Sequence, residues 1–412
     1  MNDASANTIA HQDRNSQPIS GSSRSIRPFW LLWAAYLLVI ELASVSLLFP
    51  SGLAQRMDFR CLYAGGVLVR TDPASLYDPA RQKQVEDGFV SRSSGLLPFV
   101  RPPYEALLFA PFSLVSYRAG YLYFMAFNCL LIPLCFFLLR PVFSRTDVPW
   151  QPRPGFMFFA FLPTAIAIVQ GQDSILFLLL CCLTYRELTR GQQFRAGCFL
   201  ALSLFKFQLA LPLAFLLAVR HGRRFLAGFV LGAAIVATVS LLVVGWSGVA
   251  LFRQLLITIS LAGASTNGAI SAVAPSSMPN IRGLLYFVAG RYLLPTPLFA
   301  LVVSLSLGIV GWAARFARGT LGDDPAFALS VVSALLVSYH LHLHDMTALL
   351  LPIAMVGGRE YGVVSKTCWL FFLLPPILLL MGRDAISLLS LVLLAFGFVI
   401  SWQARTAVAS IA

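Results

Sequence analysis

Few residues in this chain could do chemistry, and they stand out against apolar sequence. Asp58, flanked by Arg56 and Arg60, follows the first long apolar run, Phe29–Phe49, and heads a polar loop that lasts until about Pro103. A carboxylate at the mouth of a membrane segment can act as a general base, taking the proton from an attacking hydroxyl. Lys206, Arg282, Arg101 and His344 are cationic or proton-bearing groups able to stabilise a departing phosphate. Gln172 and Asp345 add hydrogen-bonding capacity for a phosphate or a sugar.

Each of these has a plainer reading. Asp58 could pair with Arg56 or Arg60 as a solvated loop ion pair, and Lys206 could snorkel to an interface without a role. Gln172-Asp173 reads as a turn with an N-cap for the run Ser174–Leu188. His340, His342 and His344 resemble a metal cluster in composition. On a helix only His340 and His344 would share a face, and the Glu of an H-E-x-x-H motif is absent. No metal is therefore expected. His344 and Asp345 are read instead as a polar pair at a helix mouth, with His344 contacting phosphate or sugar.

The elements that must hold these groups are membrane helices. Of 412 residues, 58% are apolar and only 11% are charged, where a soluble domain carries about a quarter; the mean hydropathy is +0.79. Solid apolar runs of roughly 15–22 residues predict an all-α, polytopic membrane protein with about 10–12 transmembrane or half-membrane helices, rather than the alternating pattern of a barrel. A net charge of +13 would suggest nucleic acid in a soluble protein. Here the basic residues separate apolar runs, where they orient the chain and meet anionic lipid headgroups, so membrane lipids and not nucleic acid are the expected contacts. The seven cysteines form no CxxC pair and predict neither a disulfide framework nor a zinc site. No P-loop or dinucleotide motif is present.

Residues 1–27 read as a disordered cytoplasmic tail, 28–404 as one integral membrane domain with 50–103 its first outer loop, and 405–412 as a cytoplasmic C-terminal tail. Phe29–Phe49 reads as an uncleaved signal anchor; it carries Glu41, to which the sequence gives no role. Tyr104–Ser116 is too short to span, Val249–Leu261 reads as an amphipathic helix within a loop, and Gly155–Val169 as one rising run. With the N-terminus inside, more of the 30 Lys and Arg residues fall inside than outside, most exceptions lying in Arg56–Arg118. Consistency requires Ala196–Val219 to be a hairpin of two short helices with Lys206 at its tip, because Arg195 and Arg220 must face the same side. Asp58, Gln172-Asp173, Lys206, Asn280, Arg282 and His340–Asp345 then converge on the outer face.

Several short blocks carry a family resemblance: Asp58-Phe59 with Leu62-Tyr63-Ala64-Gly65, Leu76-Tyr77-Asp78-Pro79, Arg101-Pro102-Pro103-Tyr104 with Ala110-Pro111 and Asn128, Gly171-Gln172, Ala196-Gly197 with Lys206, and His344-Asp345 with Leu350-Leu351-Pro352. In order and spacing they resemble glycosyltransferase family 87, the bacterial polyprenyl-phosphomannose-dependent mannosyltransferase-like proteins of the C-type membrane fold. Lys206 is followed here by Phe207, where the family often has Lys-Pro. The resemblance implies a multi-pass protein of the bacterial cytoplasmic (inner) membrane with both termini cytoplasmic. It implies a catalytic aspartate at Asp58, a polyprenyl-phosphate sugar as donor, a lipid or glycan as acceptor and no cofactor. Direct displacement by the acceptor would invert the anomeric centre.

The expected function is thus transfer of a hexose, mannose first, on the outer face. The alternative is a transporter or flippase of a lipid-linked or anionic solute. Repeat-built transporters carry matching broken segments in two halves; the break at Lys206 has no counterpart in the second half. Nothing in the sequence bears on oligomeric state. The hairpin makes a prediction: a cysteine replacing Phe207 should react with an impermeant thiol reagent added outside, while one replacing Arg220 should not. The reverse pattern would invert the placement.

Overall fold

The computed structural model describes residues 27–54, 57–90, 95–143, 154–262, 274–319, 321–357 and 362–409. Arg56, the tail 1–26 and loop residues 263–273 lie outside them. Among the described residues there are helices and no β-strand. α1 (Arg27–Leu53) leads into three short helices, α2 (Phe59–Thr71), α3 (Pro79–Asp87) and α4 (Pro103–Phe109). α5 (Tyr117–Phe143) is followed by α6 (Pro154–Phe159), α7 (Leu162–Gln170) and α8 (Ser174–Thr189). α9 (Gln193–Ala201) and α10 (Phe207–His221) are joined by a 3-10 turn, Leu202–Lys206, and precede the long α11 (Arg223–Ala262). Then come α12 (Ile281–Ala289), α13 (Pro295–Ala317), α14 (Asp323–Val337), a 3-10 segment Leu343–Leu349, α15 (Leu350–Val356), α16 (Gly362–Met381) and α17 (Leu389–Ala409).

Among the described residues six helical stretches are long and apolar enough to cross a membrane, from Ala35–Leu53 to Arg383–Trp402. The chain is an all-α, polytopic membrane protein. Its outward faces are apolar, as lipid requires: Leu47 on α1, Leu130 on α5 and Leu242 on α11 are 77%, 70% and 80% exposed. α8, α14 and α15 are buried on nearly every side and form the centre of the bundle.

Length alone would make Gln193–His221 a single span. Instead its two ends meet at the start of α11: the backbone at Gly197 lies against Phe225–Phe229, and the His221 ring is 6.3 Å from that of Phe225. The chain rises through α9, turns at Leu202–Lys206 and falls through α10, the hairpin that charge placement demands. A seam of small residues lets α9 and α11 touch backbone to backbone. A Cβ on Gly197 would sit 2.2 Å from the Phe225 carbonyl, one on Gly228 1.9 Å from that of Phe194, and Gly232 faces Ala201. At the foot of the hairpin Arg220 Nη2 lies 2.6 Å from Asp323 and the guanidinium also donates to the Ala317 and Leu321 carbonyls.

Three local expectations are corrected. The stretch 50–103 is largely helical, because α2 and α4 pack Phe59, Leu62, Tyr63, Phe99 and Phe109 into an apolar core of their own. Gly155–Val169 is broken into α6 and α7 by Pro163, which cannot continue a helix. The helix expected at Val249–Leu261 lies beyond a kink in α11: Gly245, with φ 67° and ψ −179°, separates it from the helix before it. The helix expected to end before residue 405 runs on, as α17, to Ala409.

A Gly197→Val variant should overpack the α9–α11 seam and lose at least the ~1–3 kcal/mol typical of inserted core atoms. Thermal unfolding in detergent checks this, with Gly308→Ala, whose Cβ meets open space, expected to melt like the parent.

Candidate active site

Asp58 owes its place to the residue after it. Phe59 is fully buried, its ring centroid 5.5 Å from Phe124, 5.6 Å from Tyr117 and 5.8 Å from Tyr121. This aromatic packing fixes the N-terminus of α2. Against the other side of Phe59 lies Gly171, the left-handed C-terminal residue of α7 (φ 63°, ψ 48°), where a Cβ would come within 2.7 Å of Phe59 Cβ. The turn thereby delivers Gln172 to Asp58: Gln172 Nε2 donates to Asp58 Oδ2 at 2.5 Å. Tyr121 Oη closes the junction by donating to the Val169 carbonyl at 2.5 Å.

The solvated ion pair that Asp58 and Arg60 could have made does not form. Arg60 turns away to Glu86, 3.4 Å distant, and donates to the Gly95 carbonyl at 2.9 Å. Burial pushes the Glu86 carboxyl up to about 7, against the pull of Arg60. Asp58 is half-buried and, among the described residues, has no salt-bridge partner.

Beside it lies a buried ion cluster. Lys206 Nζ is 2.6 Å from Asp173 Oδ1 and 2.6 Å from Asp345 Oδ1, with 1% of the lysine side chain exposed. Snorkelling is thus ruled out, and both carboxylates hold the lysine inside. Arg101 is 3.4 Å from Asp173 and retains 18% exposure. Asp345 also accepts from Ser174 Oγ at 3.0 Å and from the His342 backbone N–H at 3.0 Å. Asp173 occupies the N-cap position of α8 but its side chain caps nothing; the two cations take it instead and hold its carboxyl below the usual range although burial alone would raise it. Glu105, 1% exposed on α4, finds no cation left over. Burial, and after it the neighbouring Asp173 charge, push its carboxyl well above the usual range.

The three histidines do not share one helix. Ser338–His342 is irregular, with bends at Tyr339 and His340 and an extended His342, while His344 lies in the 3-10 segment Leu343–Leu349, and the rings form a file with centroids 5.2 Å (His340–His342) and 5.1 Å (His342–His344) apart. The expected pairing of His340 with His344 on one helical face gives way to this file. His344 Nδ1 is 2.8 Å from Gln170 Oε1, an acceptor, which puts the neutral ring's proton on Nδ1 and leaves Nε2 as its acceptor. Arg282 stacks over Tyr339 at 3.9 Å and donates to its carbonyl at 2.9 Å. Asn280 caps α12 through the Gly283 N–H and donates to the Ser338 carbonyl.

Asp58, Arg101, Gln172, Lys206, His344 and Asp345 are thus brought together from five separate stretches of sequence, with Arg282 adjoining through the His340 end of the file. Glu105, Gln170 and Ser174 also belong to the site and were missed by reading the sequence. Glu105 carried a signal, a lone carboxylate inside the apolar stretch Tyr104–Ser116; Gln170 and Ser174 carried none beyond nearness to Gln172-Asp173.

Replacing Lys206 by Met would leave Asp173 and Asp345 buried face to face. Breaking a buried pair from one side costs about 3–5 kcal/mol, so Lys206→Met should melt far below the parent in detergent. The double variant Lys206→Met, Asp345→Asn should lose less than the two single losses added together.

No curated protein and no solved structure matches this chain. The model of glycosyltransferase family 87 matches residues 99–341, an interval that holds Arg101, Gln172, Asp173, Lys206 and Arg282. With a polytopic helical bundle that gathers acids, cations and imidazoles into one site, and a family model covering more than half its length, the chain belongs to glycosyltransferase family 87 and is a membrane glycosyltransferase.

Proposed function

We propose that the protein transfers a hexose, mannose being the expected sugar, from a polyprenyl-phosphate donor to a lipid or glycan acceptor at the outer face of the cytoplasmic membrane. The observation that carries this reading is the contrast between Asp58 and the other acids of the site. Asp173 and Asp345 are consumed by Lys206 and Arg101, and Glu105 is buried with its carboxyl pushed up. Asp58 alone among them is half-exposed and held by a neutral donor, which suits a general base. It takes the acceptor proton as the acceptor oxygen bonds to the anomeric carbon; the bond from that carbon to the phosphate oxygen breaks and its electron pair leaves with the lipid phosphate. Attack opposite the leaving group inverts the centre.

Arg101, Arg282 and the histidine file are the groups set to meet the phosphate charge, since they are not enclosed by carboxylates as Lys206 is. The outer placement is supported by the other end of the bundle, where α8 ends at Arg190 and the hairpin foot carries Arg220, Arg223 and Arg224, a cytoplasmic signature. The polyprenyl donor follows from that placement, because nucleotide sugars stay in the cytoplasm. No cofactor is proposed.

Asp58→Asn should cut transfer from polyprenyl-phosphate mannose in proteoliposomes by about 10²–10⁴-fold, the usual worth of a general base, at unchanged protein level. Turnover that survives the substitution would remove Asp58 from that role. Mass spectrometry of products from several polyprenyl-phosphate sugars would name the donor.

A further inference from the structure

Gln172 is the one side chain that hydrogen-bonds the Asp58 carboxylate among the described residues, and its backbone is firmly mounted. It is 4% exposed, and its amide oxygen is buried with no partner among the described residues. Its backbone N–H donates to the Ala167 carbonyl at 2.8 Å, and its carbonyl accepts from Asn128 Nδ2 at 3.0 Å. Asn128 is itself fully buried. Gly171, immediately before it, rests on Phe59, immediately after Asp58. The donor and the carboxylate are therefore built out from a single packing contact, which fixes their separation more tightly than two independent loops would. So enclosed a side chain has one working atom, Nε2, and it is spent on Asp58.

Resting on the reading of Asp58 as base, we propose that Gln172 is its positioning residue: it holds Oδ2 and leaves Oδ1 as the oxygen that removes the acceptor proton. A neutral amide suits this task. A lysine or arginine in its place would lock the carboxylate into an ion pair and weaken it as a base, whereas an amide orients it and, by donating to the charged form, favours that form. The other groups close enough to feel the Asp58 charge are Cys61 on α2, Tyr117 on α5 and His342 in the file; none of them donates a hydrogen bond to the carboxylate among the described residues. This differs from the expectation that Gln172 binds the donor sugar or phosphate.

The test uses the purified full chain in nanodiscs with polyprenyl-phosphate mannose, comparing Gln172→Ala, Gln172→Met and Asp58→Asn over a range of pH. Gln172→Met keeps the volume and loses the donor, so it serves should the alanine variant fail to fold. Both should lower kcat by about 10–100-fold near neutral pH with donor KM within about twofold. The acid limb of kcat/KM should move to higher pH, so that raising the pH returns part of the activity. A raised donor KM with kcat intact would make Gln172 a donor ligand and overturn the proposal. So would a uniform loss with the acid limb unmoved, the mark of a merely structural residue. If Asp58→Asn is inactive while both Gln172 variants behave like the parent, the positioning role alone fails. If Asp58→Asn keeps its turnover, the base fails and the positioning role with it.

Discussion

The site depends on one buried ammonium group. A lysine enclosed in an apolar bundle is tolerable only if its charge is met at short range and its donors are used. Lys206 meets two carboxylates at 2.6 Å, and those carboxylates sit on different elements: Asp173 at the α7–α8 turn, Asp345 in the 3-10 segment before α15. The hairpin tip, the central helix α8 and the second half of the chain are thereby tied at a single point. Moving any of the three away would leave a charge without its partner in a medium that punishes it. The same constraint explains why the hairpin turns where it does, since continuing α9 as a straight span would carry Lys206 out of reach of both acids.

Two positive charges then face two aspartates, a balance that lets them sit inside the bundle, and burial pushes up the carboxyl of the third acid, Glu105. The pairing also means that the cations of the cluster are largely committed. Charge available to an incoming phosphate lies at the margin of the cluster, at the partly exposed Arg101 and at Arg282, and not at its centre.

A second constraint is aromatic. Phe59 is the hinge pin between the outer helices α2–α4 and the bundle, because its ring fills the space between Phe124, Tyr117 and Tyr121 while its Cβ faces Gly171. Apolar packing thus sets the position of the polar residue next to it. Asp58 stands at the boundary of the two apolar cores, where a carboxylate can be reached by a substrate and still be held by the bundle.

What the sequence by itself determined was the class of the molecule and the identity of its polar participants. Hydropathy sets the membrane helices because lipid offers backbone groups no hydrogen bonds, and the cost of isolated charge marks Asp58, Lys206 and His344-Asp345 as exceptions worth explaining. Charge placement even dictated the hairpin. Only the tertiary structure decided who pairs with whom. Asp173 looked like a cap and became a counterion, Arg60 left Asp58 for Glu86, the histidines lined up across a bend and a 3-10 turn, and Glu105 entered the site unnoticed. These outcomes turn on contacts between residues that are distant in the sequence, from Arg60 with Glu86 to Lys206 with Asp173 and Asp345 and Ser174 with Asp345. Local spacing holds no information about such distances, because they are set by how whole helices pack.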